Sequence, residues 1–371
     1  MRDMQPVSAA IKLGIAFCAA IACAESADLP VVPDTTFVLA VANHTAPGAN
    51  APGGILQGDY EMVVSIAAVS ADAITQVAFI DGTDAAGIPR RGSVSRVVST
   101  ADLRDAGVQI LGFGLDDPAR VDGTTALGPS IRIVHDLAQT GTTEYSFRNW
   151  IGRETISGTL RRSGTGTVKF PVLLNGQRVE LDAIHATGQM ALGGISRPFE
   201  TVILDHPRHP LSLRIAYGPR DGGIPFVPDF AREIVRIDYP ADSGGSTVSD
   251  ALETGCRVEL KGIYFDFNEA TLKPQSQTAL REIATALQSA PERRFKIEGH
   301  TDNIGGDRYN DGLSARRAAA VQSALVRDYG VDAARLAISG QGARRPIESN
   351  DTLAGRARNR RVELVCMDES R

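Results

Sequence analysis

The spacing of apolar residues changes period once along this chain, and one kind of fold cannot serve both parts. From residue 31 to about 239, apolar side chains mostly alternate with polar ones, the period of a half-buried strand. Beyond Gly255 a spacing of i, i+3, i+4, i+7 enters, as at Leu280, Ile283, Ala284 and Leu287, and that is the face of a helix. Between them, residues 240–254 (ADSGGSTVSDALETG) are rich in Gly, Ser, Thr and Asp and keep neither period. The pattern divides the 371 residues into a β-rich domain at 31–239, a linker at 240–254 and an α/β domain at 255–371.

The first domain is expected to be all-β, a sandwich or a small soluble barrel. Strand patterns run from Asp59 to Ile66, Ile74 to Ile80, Leu211 to Ala216 and Glu233 to Tyr239, and Ser130-Ile-Arg-Ile-Val alternates as well. Thr167 to Leu174 leads into Asn175-Gly176 and then Gln-Arg-Val-Glu-Leu. Asn-Gly between two such runs marks a hairpin, because both turn positions need positive φ. Thr100 to Ala106 carries the main helical signal. A membrane-spanning barrel fits poorly: such barrels wear aromatic girdles, and this chain has 1 Trp and 7 Tyr.

Residues 1–24 read as a secretory leader. Arg2 and Lys12 precede an apolar run from Leu13 to Ala24, which is shorter than the roughly 20 residues of a membrane span. Ala22-Cys23-Ala24 offers a cleavage site; alternatively, Cys23 after Ala20-Ile21-Ala22 is an acylation site of the lipoprotein kind. Export implies an oxidising compartment. Cys256 and Cys366 bracket the second domain there, either as a disulfide or as two thiols. The net charge of −5 argues against a nucleic-acid partner.

In the second domain, Ile263 to Phe267, Phe295 to Gly299, Arg335 to Ser339 and Arg361 to Val365 read as strands. Helices are expected from Pro274 and from Ser314, the latter as N-cap, to about Asp328. That order implies helices against a mixed sheet. Asp302 would then end a strand while Arg317 sits one turn into a helix, both facing one cleft. A carboxylate and a guanidinium so placed complement a zwitterionic amino-acid end. The carboxylate takes an ammonium group, and the planar fork takes a carboxylate in two bonds, which Lys cannot copy. The diaminopimelate of a peptidoglycan stem peptide offers both groups. Taken singly, an Asp after Thr is usually a turn residue and a lone helical Arg is usually solvated.

The fixed spacing goes further. Asp302, Asn303, Gly305, Asn310, Leu313, Ser314, Arg317, Ala318 and Val321 follow the form TDxxG, N, LSxxRAxxV. Phe265-Asp-Phe-Asn268 with Leu272 precedes them; Ser339 to Arg344 with Pro346, and Asn359 to Glu363, follow. In these motifs the segment from about Gly255 to Cys366 resembles an OmpA-like peptidoglycan-binding domain, with a βαβαββ order. The resemblance covers none of the first domain. It implies that Asp302 and Arg317 grip diaminopimelate, with Thr301, Asn310, Leu313, Asn268 and Arg360 beside them, and with no catalytic residue, metal or cofactor. Arg356 and Arg358 are expected to be surface charge. The partners it implies are peptidoglycan and the outer membrane or its proteins, and the location is the periplasm at the wall.

Other clusters are weaker. Asp205-His206-Pro-Arg-His209 reads as a turn rather than a metal site, and Asp182 with His185 lacks a nucleophile elbow. A second functional reading stays open, in which the β-domain is an enzyme or ligand carrier and the second domain is its anchor. A pocket with converging titratable groups would favour it; a filled core would favour a tether alone.

Overall fold

The computed structural model describes residues 29, 31–44, 56, 58–84, 87–148, 154–218, 229–240, 248–249, 252, 255–266 and 268–367. The leader with Cys23, and most of the 240–254 stretch, lie outside the described residues.

Up to residue 238 the chain is mainly strand: β1 (Thr36–His44), β2 (Gly58–Val69), β3 (Ala73–Thr83), β4 (Pro89–Ser99), β5 (Val108–Ile110), β6 (Thr124–Thr125), β7 (Thr142–Arg148), β8 (Ile156–Arg162), β9 (Val168–Leu174), β10 (Gln177–Leu192), β11 (Ile195–Leu204), β12 (Leu211–Tyr217) and β13 (Asp229–Asp238). They form a 13-stranded sheet in the order β4-β3-β2-β1-β13-β12-β11-β10-β8-β7-β5-β6, with β9 paired to both β10 and β13. The β9–β10 hairpin turns where expected: Leu174 pairs with Gln177, and Asn175 and Gly176 take φ of 47° and 72°. Both faces of the central strands are covered. Leu181 and Ala183 of β10 join one apolar core with Leu39, Val64 and Leu213, whereas Ile184, Ala186 and Met190 join another with Phe147, Phe199 and Tyr217. A strand buried on both faces reads as a continuous apolar run, as Val202-Ile-Leu does.

Helix α1 (Thr100–Asp105) occupies the expected segment, with the Ser99 hydroxyl accepting from the Asp102 N–H. The Ser130–Val134 segment is not a strand. It opens α2 (Ile131–Thr140), which buries Ile133, Val134 and Leu137 and ends at Gly141 in the left-handed region. The alternation at Ser130-Ile-Arg-Ile was too short to separate the two periods; Val134, Leu137 and a terminal Gly complete a helical face.

The second domain contains β14 (Arg257–Glu259), α3 (Ser276–Ser289), β15 (Phe295–Gly299), α4 (Asp307–Tyr329), β16 (Leu336–Gly340), α5 (Leu353–Asn359) and β17 (Val362–Cys366). Its sheet runs β14-β17-β15-β16, with only β15 and β16 parallel. Leu280, Ile283 and Leu287 of α3 and Ala318, Val321 and Leu325 of α4 pack with Phe295, Ile297 and Leu364 of the sheet. Leu252 is buried in this core and Val248 packs against it, so apolar side chains from the 240–254 stretch belong to the second domain. Of the expected strand Ile263–Phe267, Phe267 lies outside the described residues, and Ile263–Asp266 is not a ladder strand: it makes a single bridge, Phe265 to Leu272. The edge strand is Arg257–Glu259 instead, whose three residues are too few to show a period.

Candidate ligand-binding site

Two glycines bring the site together. A Cβ on Gly299, at the end of β15, would lie 2.1 Å from the Ser314 carbonyl oxygen; one on Gly340 of β16 would lie 2.7 Å from the Ala315 nitrogen. The sheet therefore touches the backbone of α4 directly. Asp302 follows β15, and its Oδ1 accepts from the Ile304 N–H at 3.0 Å. Asn310 Nδ2 donates to the Asp302 carbonyl at 3.1 Å and so braces the turn.

Ser314 is not an N-cap. Helix α4 begins at Asp307, after Gly306 at φ 80°, and Arg317 is several turns in. The polar first turns conceal the helical period. The Ser314 hydroxyl instead donates to Asp311 O at 3.0 Å and accepts from the Gly342 N–H at 2.9 Å, tying α4 to the loop after β16.

Arg317 is 8% exposed, its Nε donates to the Glu269 carbonyl at 3.0 Å, and its guanidinium lies 5.0 Å from the Phe265 ring centroid. Burial pushes its pKa down to about 10; Glu61 opposes that most, then Arg360 adds to it, while Asp302 and Tyr309 oppose it. Arg360, just past α5, joins the group. Its Nη1 donates to Asp302 Oδ2 and its Nε to Glu61 Oε1 at 2.9 Å. Burial works against this cation, yet Glu61 and Asp302 outweigh it and hold the pKa up. Arg360 thus bonds Asp302 and lines one small void with Arg317.

The other expected residues divide. Thr301 is buried, its hydroxyl has no hydrogen-bond partner among the described residues, and it sits one residue before Asp302. Asn310 and Leu313 are buried supports. Asn268 is exposed at φ 54°, and its carbonyl accepts from the Tyr309 hydroxyl at 3.3 Å. Arg356 and Arg358 are not solvated surface charge. Arg358 is 6% exposed and bonds Glu348 at 2.8 Å, and Arg356 pairs with Asp59 of β2. The sequence reading missed Glu61, since nothing local links residues 61 and 360.

The two domains meet here. Arg91 of β4 reaches Asp266 at 3.4 Å and Glu269 at 3.2 Å, and Lys273 reaches Asp81 at 3.5 Å. Val38, Ala40, Val63 and Val235 pack with Tyr264 and Ala357 in a small apolar cluster.

Three further groups were weighed. Glu298, His300 and Glu363 have ligand atoms within 4.8 Å of one another. Arg257 and Lys296 bond Glu298 at 2.8 and 2.7 Å, and Arg361 bonds Glu363 at 2.7 Å. Burial works against the Glu363 charge, but His300, 3.5 Å away, and the hydrogen bond from Arg361 hold its carboxyl well below the usual range. Both carboxylates thus already have cationic side-chain partners. His206 and His209 lie in a bend, both 3% exposed, with His206 Nε2 2.7 Å from Leu29 O. Asp182 bonds Lys169 at 2.7 Å whereas His185 faces Glu200 at 3.2 Å, so they form no catalytic pair. Cys256 and Cys366 lie side by side: Cys366 N–H donates to Cys256 O at 2.9 Å, and Arg293 Nη2 lies 2.7 Å from Cys366 Sγ and 3.5 Å from Cys256 Sγ.

Residues 264–360 match the OmpA family. The chain is 39% identical over 142 residues to outer membrane porin F of Pseudomonas aeruginosa, covering 36% of this chain and 40% of that protein. It is 41% identical over 103 residues to the outer-membrane lipoprotein YfiB of the same organism, covering 28% and 61%. Among solved structures, the peptidoglycan-associated lipoprotein from Burkholderia pseudomallei is 33% identical with a TM-score of 0.27, covering 31% of this chain and 92% of that one. The chain therefore spans well under two thirds of the porin and less than two thirds of YfiB. Residues 264–360 are an OmpA family domain, built around the junction of β15 and α4 that holds Asp302 and Arg317.

Proposed function

We propose that the second domain binds peptidoglycan non-covalently through the diaminopimelate of the stem peptide, and that this tethers the first domain or the outer membrane to the cell wall. The bond of Arg360 to Asp302, with Arg317 beside Arg360 on one void, carries the reading. One carboxylate and two guanidiniums match one ammonium and one carboxylate. Each charge-assisted bond contributes roughly 1.5–3 kcal/mol net, so a single contact is weak, and the repeating wall supplies avidity. The protein acts in the periplasm at the wall and outer membrane, as an anchor and not an enzyme. The outer-membrane names of the porin and lipoprotein relatives support that location. The test is sedimentation of the full chain with purified diaminopimelate-containing peptidoglycan. Parent protein should pellet, and Asp302→Ala or Arg317→Ala should stay in solution; pelleting of both variants like the parent sinks the site.

One observation supports a second role, small-molecule carriage by the first domain. A cavity of about 380 Å³ lies among Val41, Tyr60, Phe79, Leu111, Phe113 and Phe230. Much of its acidic and basic lining is engaged elsewhere: Arg90 with Asp84 at 2.9 Å, Asp117 with Arg96 at 2.9 Å and Glu61 with Arg360. Such a lining favours holding an apolar body over catalysis. Quenching of protein fluorescence by a hydrophobic dye, unchanged in Phe113→Ala, would exclude this cavity.

A further inference from the structure

We infer that the first domain occupies the diaminopimelate site of the second, with Glu61 standing in for the ligand's carboxylate, so that the wall binds only when the domains part. This rests on the wall-binding reading above and concerns its regulation.

The geometry is that of a bound ligand. Glu61 projects from β2 and accepts from Arg360 Nε at 2.9 Å, while the same guanidinium donates to Asp302. Glu61 is also the strongest charge holding Arg317 protonated, ahead of Asp302. A carboxylate from the first domain therefore bonds Arg360, one of the two cations that a ligand carboxylate would use, and Arg360 lines one void with Arg317. On the far side, Arg91 clasps Asp266 and Glu269, and the Glu269 carbonyl is the acceptor for Arg317 Nε.

No room is left for a stem peptide. Asp302 and Arg317 are 7% and 8% exposed. The void beside Arg317 and Arg360 measures about 20 Å³, as does the void beside Glu61 and Arg360. Each holds about one water and no amino acid.

The contact is built to open. Most of it is ion pairs: Arg360 with Glu61, Arg356 with Asp59, Lys273 with Asp81 and Arg178 with Glu348. The apolar part is one small cluster. Polar faces of this kind between domains behave as transient ones. A closed majority lowers apparent wall affinity by the open fraction alone.

The experiment uses the full chain and purified diaminopimelate-containing peptidoglycan in a sedimentation titration. Glu61→Gln keeps the shape and removes the charge; Asp59→Asn with Glu61→Gln removes two of the ion pairs. Wall affinity should rise about tenfold or more in the first and further in the second, and adding Asp302→Asn to either should abolish binding. Equal affinity of the parent and both variants overturns occlusion while leaving the wall site intact. Undiminished binding after Asp302→Asn overturns the wall site itself. If neither the parent nor the opened variants pellet, both readings fall.

Discussion

Adding one methyl group at Gly299 tests how the site is assembled. The Cβ of Gly299→Ala would lie 2.1 Å from the Ser314 carbonyl oxygen and 2.9 Å from its carbon, where ordinary contact begins at 3.4 Å. The obstacle is helix backbone, which no rotamer change can clear, so α4 must recede by roughly 1 Å. Overpacking of this kind costs about 1–3 kcal/mol, and a main-chain obstacle places it at the upper end. The retreat also carries Arg317 away from Asp302, so wall binding should fall together with stability. Urea denaturation followed by circular dichroism reads the first effect and sedimentation with peptidoglycan the second. Gly107→Ala is the control, since a Cβ there meets nothing within 4 Å. If Gly299→Ala unfolds at the same urea concentration as Gly107→Ala and still pellets with the wall, the close approach of β15 and α4 does not hold the site together.

In the Glu61→Gln background, Arg317→Lys should weaken wall binding about tenfold, because an ammonium cannot make the two-bond fork; a titration showing parental affinity would remove Arg317 from the ligand. Burial, with the nearby His206, pushes the His209 pKa from 6.5 down to about 4. The folded state thus refuses a proton that the unfolded chain accepts. Its contribution is complete above pH 6.5 and is lost as pH falls through 4, up to about 3 kcal/mol. His209→Gln should flatten the stability profile between pH 6.5 and 4, and an unchanged slope would refute the assignment. Cys256 and Cys366 face each other across the β14–β17 edge, so oxidised glutathione should take two electrons from the pair and close a disulfide. Closing so long a loop should add about 2–4 kcal/mol; two thiols still open to alkylation afterwards would refute the pairing.

Local chemistry was enough for much of this protein. Asn175-Gly176 specified its hairpin because only a turn with two positive φ angles joins such strands. The spacing of Leu280, Ile283 and Leu287 specified α3 because those side chains share one face. The spacing from Asp302 to Arg317 carried the family motif, but not the start of the helix, which lies at Asp307 rather than at Ser314. Where a segment was short or its period was masked by polar residues, tertiary packing decided. Ser130–Val134 became helix because α2 had a core to cover, and α4 extended back to Asp307 because Asn310 had Asp302 to brace. The contact between Glu61 and Arg360 joins residues 299 positions apart through two separately folded domains. No local rule connects them, so only the assembled structure brings the first domain's Glu61 carboxylate to Arg360.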